Sequence, residues 1–281
     1  MKKGLVLEGG AMRGLFSAGV TDLMMEEKIV FDGLIGVSAG ACFGCNYKSE
    51  QIGRALRYNL DYCADKRYCS VHSLIKTGDM YGAEFCYHEL PEKLDIFDKE
   101  AFEKNPMEFY IVCTDVEEGV PVYHRMDTVS YDELEWMRAS ASMPLVSRIV
   151  EVGGKKMLDG GVSDSVPVKY FQSIGYEKNV VVLTQPRSYR KKKNSLMPLI
   201  KTALRKYPKL IEAMAVRHEL YNETLDYIWS EEKKGNVFVI CTDEALPIKR
   251  TEHRTEVLKE VYDLGRSVAK RQMSELKEFL K

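Results

Sequence analysis

Short apolar runs alternate with amphipathic stretches along the first two-thirds of the chain. Residues 3–8 read as a strand and 15–28 as a helix; 32–37 read as a second strand and 39–48 as a second helix. Residues 50–104 are helix-rich, broken at Gly78, Gly82 and Pro91. Two strands, 107–116 and 120–126, are joined by the turn Glu117-Glu118-Gly119, and a helix over 131–141 ends ahead of Pro144. Val152-Gly153-Gly154-Lys155-Lys156-Met157 has the form of a hairpin. Residues 166–174 read as a helix opened by Pro167, and 179–184 as a Val-rich strand buried on both faces. This alternation predicts an α/β fold with three layers, α/β/α, in which helices cover both faces of a parallel or mixed sheet.

After residue 187 the pattern changes. Arg187–Asn194 is a basic connector, and Ser195–Ser230 is helical in period with a break near Pro208. Residues 237–241 form a short strand, and 254–281 a long amphipathic helix with Val257, Leu258, Val261, Leu264, Val268, Met273 and Leu276 on one face. The expected organisation is an α/β domain over 4–186 followed by a mostly helical extension over 187–281. There is no internal repeat and no low-complexity tract.

A chain of 281 residues with 45% hydrophobic content has enough apolar material for a full core, and its net charge of −1 offers no overall attraction for nucleic acid. The charge is unevenly spread. Residues 84–135 carry 15 acidic against 4 basic residues, and residues 187–217 carry 10 basic against 1 acidic. Two readings of the basic segment Arg187–Arg217 stay open: a peripheral contact with an anionic membrane surface, or pairing with the acidic region. No apolar run reaches the roughly 18 residues of a membrane span. The amino terminus meets charge and glycine too early for a signal peptide, which points to a cytoplasmic protein, with the inner membrane surface as the place of any peripheral contact. Seven cysteines, odd in number and irregular in spacing, fit reduced buried thiols. Cys42 and Cys45 form a C-x-x-C pair without a second pair spaced for zinc, so helix packing is their expected role. Neither metal nor organic cofactor is expected, and the oligomeric state is not legible.

Three segments carry chemistry. Gly36-Val37-Ser38-Ala39-Gly40 follows an apolar strand and opens a helix, the context of a nucleophile elbow. Gly9-Gly10-Ala11-Met12-Arg13-Gly14 follows the first strand, and such a turn leaves successive backbone N–H groups aimed into one space at a helix start. They can hold a phosphate or the oxyanion of an acyl-transfer intermediate. Asp159-Gly160-Gly161 closes the hairpin. Each segment follows a strand, so the three are expected to converge where strand carboxyl ends gather at one edge of the sheet.

Together with Arg138-Ala139-Ser140-Ala141-Ser142-Met143-Pro144, which is similar to an Ala-Ser-x-x-x-Pro stretch, these segments in this order resemble the patatin-like phospholipase family. The match covers residues 4 to about 185. The family usually has glycine where this chain has Ala11, a replacement that costs little if that residue keeps φ negative. The resemblance implies lipid-ester hydrolysis through a Ser-Asp dyad, with Ser38 as nucleophile and Asp159 as the base that takes its proton. Gly10, Ala11 and Met12 would then supply the oxyanion hole, with Arg13 adding positive charge beside it. Burial of Asp159 would suit it to the task by raising its pKa. Three rivals stand beside this reading. A nucleotide-binding start is weakened by the missing G-x-G-x-x-G spacing. A Ser-His-Asp hydrolase would recruit His218 or His253, since His72, His88 and His124 precede Asp159. A non-catalytic lipid-binding relative would keep the fold alone.

Overall fold

In a computed structural model describing Met1–Lys281, one mixed sheet forms the centre of the molecule. In chain order the elements are β1 (Lys2–Leu7), α1 (Gly14–Glu26), β2 (Gly33–Val37), α2 (Ala39–Lys48), α3 (Arg54–Tyr62), α4 (Val71–Thr77), a π-helical segment Phe85–Leu94, α5 (Lys99–Lys104), β3 (Glu108–Asp115), β4 (Pro121–Arg125), α6 (Tyr131–Ser140), β5 (Val150–Val152), β6 (Lys155–Asp159), α7 (Val168–Ser173), β7 (Tyr176–Val182), α8 (Met197–Ala203), α9 (Pro208–Lys233), β8 (Val237–Ile240) and α10 (Thr255–Phe279). The strand order is β5-β6-β3-β2-β1-β7-β8, with β4 also paired to β3. β3, β2, β1, β7 and β8 run parallel; β4 and β6 run antiparallel to β3.

The two-residue period of the strands divides the core. Leu5, Leu7, Leu34, Ile111, Val180 and Val182 face the larger apolar cluster, which α1, α2, α6 and α10 cover. Val6, Ile35, Val37, Val112 and Val181 face the other side, where side chains of α7 and α9 close over them. Every β2 residue is therefore buried, as the uninterrupted apolar run requires of a central parallel strand. Residues beyond 187 join the same architecture. β8 extends the sheet on β7, and α10 lies along α1.

The α1–α10 contact depends on two glycines. A Cβ on Gly19 would sit 2.1 Å from the Tyr262 carbonyl oxygen, and one on Gly265 2.1 Å from the Phe16 carbonyl oxygen. Gly19→Ala should therefore force the helices apart and cost about 1–3 kcal/mol, as overpacking does. The expected readout is a lower urea midpoint at unchanged slope; an unchanged midpoint would refute this close-packed crossing.

Two expectations need correction. Pro91 does not break the helical insert but lies inside the Phe85–Leu94 segment, where wide turns tolerate a missing N–H. Asp159 also does not end a strand running with β1 and β2, because β6 is antiparallel. It reaches their edge by offset: on β3, β6 pairs only with Cys113, Thr114 and Asp115, the strand's last residues.

Candidate active site

Register places the three segments in one row. Val37 pairs with Val112 across β2 and β3, which brings Ser38 level with Cys113, and Cys113 pairs with Asp159. Leu7 pairs with Gly36, so Gly9 falls on the same row from the other side. At about 4.8 Å between strands, Ser38 and Asp159 stand roughly 10 Å apart along the backbone, a gap their side chains close. The Ser38 hydroxyl lies close enough to the Asp159 carboxyl to lower its pKa, and Asp159 Oδ1 accepts the Gly161 N–H at 2.7 Å.

Ser38 sits at φ 55°, ψ −124°, backbone angles that cost a non-glycine residue on the order of 1–3 kcal/mol. The surrounding packing holds it there. A Cβ on Gly36 would meet the Ala41 backbone at 2.6 Å, and one on Gly40 the Leu7 carbonyl oxygen at 2.4 Å, so the turn can be this tight only with glycine on both sides. Ser140 fixes it from above: its hydroxyl accepts the Ser38 N–H at 2.8 Å and donates to the Val112 carbonyl at 2.6 Å. Two residues on, the Ser142 carbonyl accepts the Asp159 N–H at 2.9 Å. One short segment thus pins the backbone at both residues. Ser140→Ala would orphan the buried Ser38 N–H, and we expect it to lower stability by about 1–3 kcal/mol together with a fall in Ser38 reactivity. Thermal unfolding beside an active-site titration would check this, and an unaltered protein on both counts would deny the strut.

Burial pushes the Asp159 carboxyl above its ordinary value, while Arg217, the Gly161 N–H and the Ser38 hydroxyl pull it back. Its Oδ1 lies 3.0 Å from the position a Cβ on Gly161 would take, and Arg217 Nη2 lies 3.2 Å from the same point. Gly160 and Gly161 form the tight turn after Asp159. In the glycine-rich loop, the N–H groups of Gly9, Gly10, Ala11 and Met12 have no acceptor in the protein. Arg13 closes that turn, and Gly14 opens α1. Ala11 adopts φ 50°, the left-handed region, so this chain carries the strain that a glycine there would avoid.

Two hollows meet at Ser38. One is a slot of about 100 Å³ lined by apolar side chains such as Met12, Phe43, Tyr58, Leu90 and Met137, with Cys42 and Cys45 in its wall. Burial pushes both thiols up to about 12, which keeps them protonated and unreactive. The other is an open cleft of about 550 Å³ bordered by Gly9, Asp159, Met143 and Pro144 on one side and by residues beyond 187 on the other. Arg217 and Arg250 in this cleft were not expected from the sequence, His218 was expected near the site only in the Ser-His-Asp reading, and Lys191, Lys192 and Lys193 were expected on a solvated or membrane-facing run. Their positive charge was visible; the fold alone turns it inward.

No histidine hydrogen-bonds Ser38 or Asp159. His88 and His124 pair with Glu135 and Glu133, and His253 with the Cys63 carbonyl. His218 borders the open cleft, with its Nε2 3.5 Å from Glu219, and His72 is exposed. No helix is long and apolar enough to cross a membrane.

The sequence model described as Patatin-like phospholipase matches residues 5–171, and one described as Domain of unknown function (DUF6363) matches residues 207–281. The chain is 27% identical to the uncharacterized protein YjjU of Escherichia coli, over 93% of this chain and 74% of that one. It is 28% identical to lysophospholipase nte1 of Aspergillus terreus over 61% of this chain, which spans only 11% of that much longer protein. Among solved structures, VipD from Legionella pneumophila aligns with 96% of this chain and 67% of its own at a TM-score of 0.43 and 11% identity.

Proposed function

The chain belongs to the patatin-like phospholipase family, and from that premise we propose that it is a serine acyl hydrolase that cleaves carboxylic ester bonds of lipids. Ser38 Oγ attacks the ester carbonyl while Asp159 takes the hydroxyl proton. The carbonyl oxygen gains the charge and is held by the free N–H groups of Gly10, Ala11 and Met12, with the positive charge of Arg13 nearby. Collapse of the intermediate breaks the ester C–O bond, the departing alkoxide takes the proton from Asp159, and the acyl group stays on Ser38. Water, deprotonated by Asp159, then releases the fatty acid and restores Ser38. No imidazole takes part.

The observation that carries this reading is the juxtaposition of Ser38 with the buried Asp159 carboxyl at the mouth of an apolar slot. The slot suits an acyl chain, and the open cleft leaves room for the alcohol part. Exposed Leu196 borders the cleft beside Lys192 and Lys193, with exposed Leu199 a few residues on, a combination suited to peripheral contact with an anionic lipid surface. A panel of fatty-acyl esters and phospholipids should be hydrolysed by the wild type and not measurably by Ser38→Ala. Equal hydrolysis by both proteins would refute the assignment.

A further inference from the structure

The open cleft has a charge pattern that ester cleavage alone does not need. Six cations border it: Arg13, Lys191, Lys192, Lys193, Arg217 and Arg250. Only two carboxylates face them. Asp159 is engaged by the Gly161 N–H and lies beside Ser38, and Glu8 is engaged by the Thr184 N–H at 2.6 Å, the Thr184 hydroxyl at 3.1 Å and the Tyr221 hydroxyl at 2.6 Å. None of the six makes an ion pair, whereas outward-facing cations of the same segments do: Arg187 with Glu232, Arg190 with Asp226 and Arg254 with Glu252. Those three cations are neutralised, and the six that border the cleft are not.

Arg13, Lys191 and Arg217 lie deepest, each half-buried and each from a different segment. The Nε atoms of Arg13 and Arg217 are buried without an acceptor. Lys191 Nζ stands 4.2 Å from the centroid of the Tyr221 ring, and burial, with Arg217, Arg13 and Arg250 nearby, lowers its pKa to about 8. Cations gathered this way repel one another and sit in part out of water, a cost that a bound anion would relieve.

We propose that this cleft is a head-group site for a lipid phosphate monoester, built largely by the segment beyond residue 187 and set beside Ser38. The proposal rests on the acyl-hydrolase reading for its placement next to an ester. A doubly charged tetrahedral phosphate offers several oxygens to the guanidinium forks of Arg13 and Arg217, with Lys191 as a point charge between them. A choline head group would carry its quaternary ammonium into the same positive field and be disfavoured. Lys192, Lys193 and Arg250, exposed at the rim, would draw the dianion in from solution.

Monomeric short-chain lipids separate head-group recognition from adsorption to a surface. Dihexanoyl phosphatidate should exceed dihexanoyl phosphatidylcholine in kcat/KM by about tenfold or more, the scale of one or two charge-assisted hydrogen bonds. Lys191→Gln with Arg250→Gln should bring that ratio toward unity, and Lys191→Arg should keep it. The non-hydrolysable 1,2-di-O-hexylglycerol 3-phosphate gives a readout independent of turnover. By calorimetry it should bind the wild type, bind the double variant at least tenfold more weakly, and outcompete inorganic phosphate. If this ether lipid binds as expected while neither ester is cleaved, the hydrolase reading fails and the head-group site stands. Equal kcat/KM for the two lipids, a preference that appears only on anionic vesicles, or inorganic phosphate binding as tightly as the ether lipid would each overturn the proposal.

Discussion

Asp159→Asn is expected to lower kcat for ester hydrolysis by about 10⁴-fold while leaving the protein folded, the scale seen when a catalytic carboxylate becomes an amide elsewhere. The amide keeps the shape and still accepts the Gly161 N–H, but it has no capacity to take the Ser38 proton. With no histidine bonded to either residue, no second base is in place to compensate. The pH profile follows from the same carboxyl. Burial raises its pKa, so the acid limb of kcat/KM should lie above the usual carboxylate value of about 4. Activity needs the ionised form and is lost as pH falls through the raised pKa. Stability has the opposite sign for this one group. The folded state holds the proton more tightly than the unfolded chain, so Asp159 opposes folding above its folded pKa and ceases to do so below its unfolded one. Circular dichroism and a pH–rate series on the wild type and Asp159→Asn would check both halves. Near-normal turnover in the variant would remove Asp159 from the mechanism.

Gly9→Ala should cost about 10²–10³-fold in kcat, as loss of an oxyanion donor does. A Cβ at this position would fall 2.8 Å from the Val37 carbonyl oxygen and 2.9 Å from Ser38 Cβ. Neither neighbour can yield, since Val37 is fully buried in β2 and Ser38 is held at a strained φ by its own packing. The loop must therefore retreat from Ser38 and carry its free N–H groups with it. KM for a soluble ester should change far less than kcat, because those donors serve the charge that develops during reaction. An equal loss in both, or none, would show that the loop does not hold the oxyanion.

The elements whose apolar residues are contiguous or strictly periodic were legible in the sequence. Residues 39–48 were read as a helix and form α2 at those bounds; the Val-rich run near 180 is β7, although the strand begins earlier, at Tyr176, where polar Glu177 and Lys178 hid it. The serine elbow and the glycine-rich loop were legible because their backbones admit few residues. The direction of β6 was not, since a hairpin fixes only its own two strands and not its partner in the sheet. The role of Ser140 also escaped, because its hydroxyl acts across 102 residues of sequence on the Ser38 N–H. The cationic cleft was half legible. Its lysines stood out as a run, yet their inward facing depends on α9 and the 241–254 connector closing over the sheet edge.

The central claim is that Ser38 is the residue acylated during turnover, and reaction with a fluorophosphonate tests it most directly. Tandem mass spectrometry of the inhibited wild type should place one phosphonyl group on Ser38, in step with loss of esterase activity. Ser38→Ala should take up none, and Asp159→Asn should react far more slowly. Full inhibition with the label on another residue, or an active enzyme that leaves Ser38 unlabelled, would contradict the account.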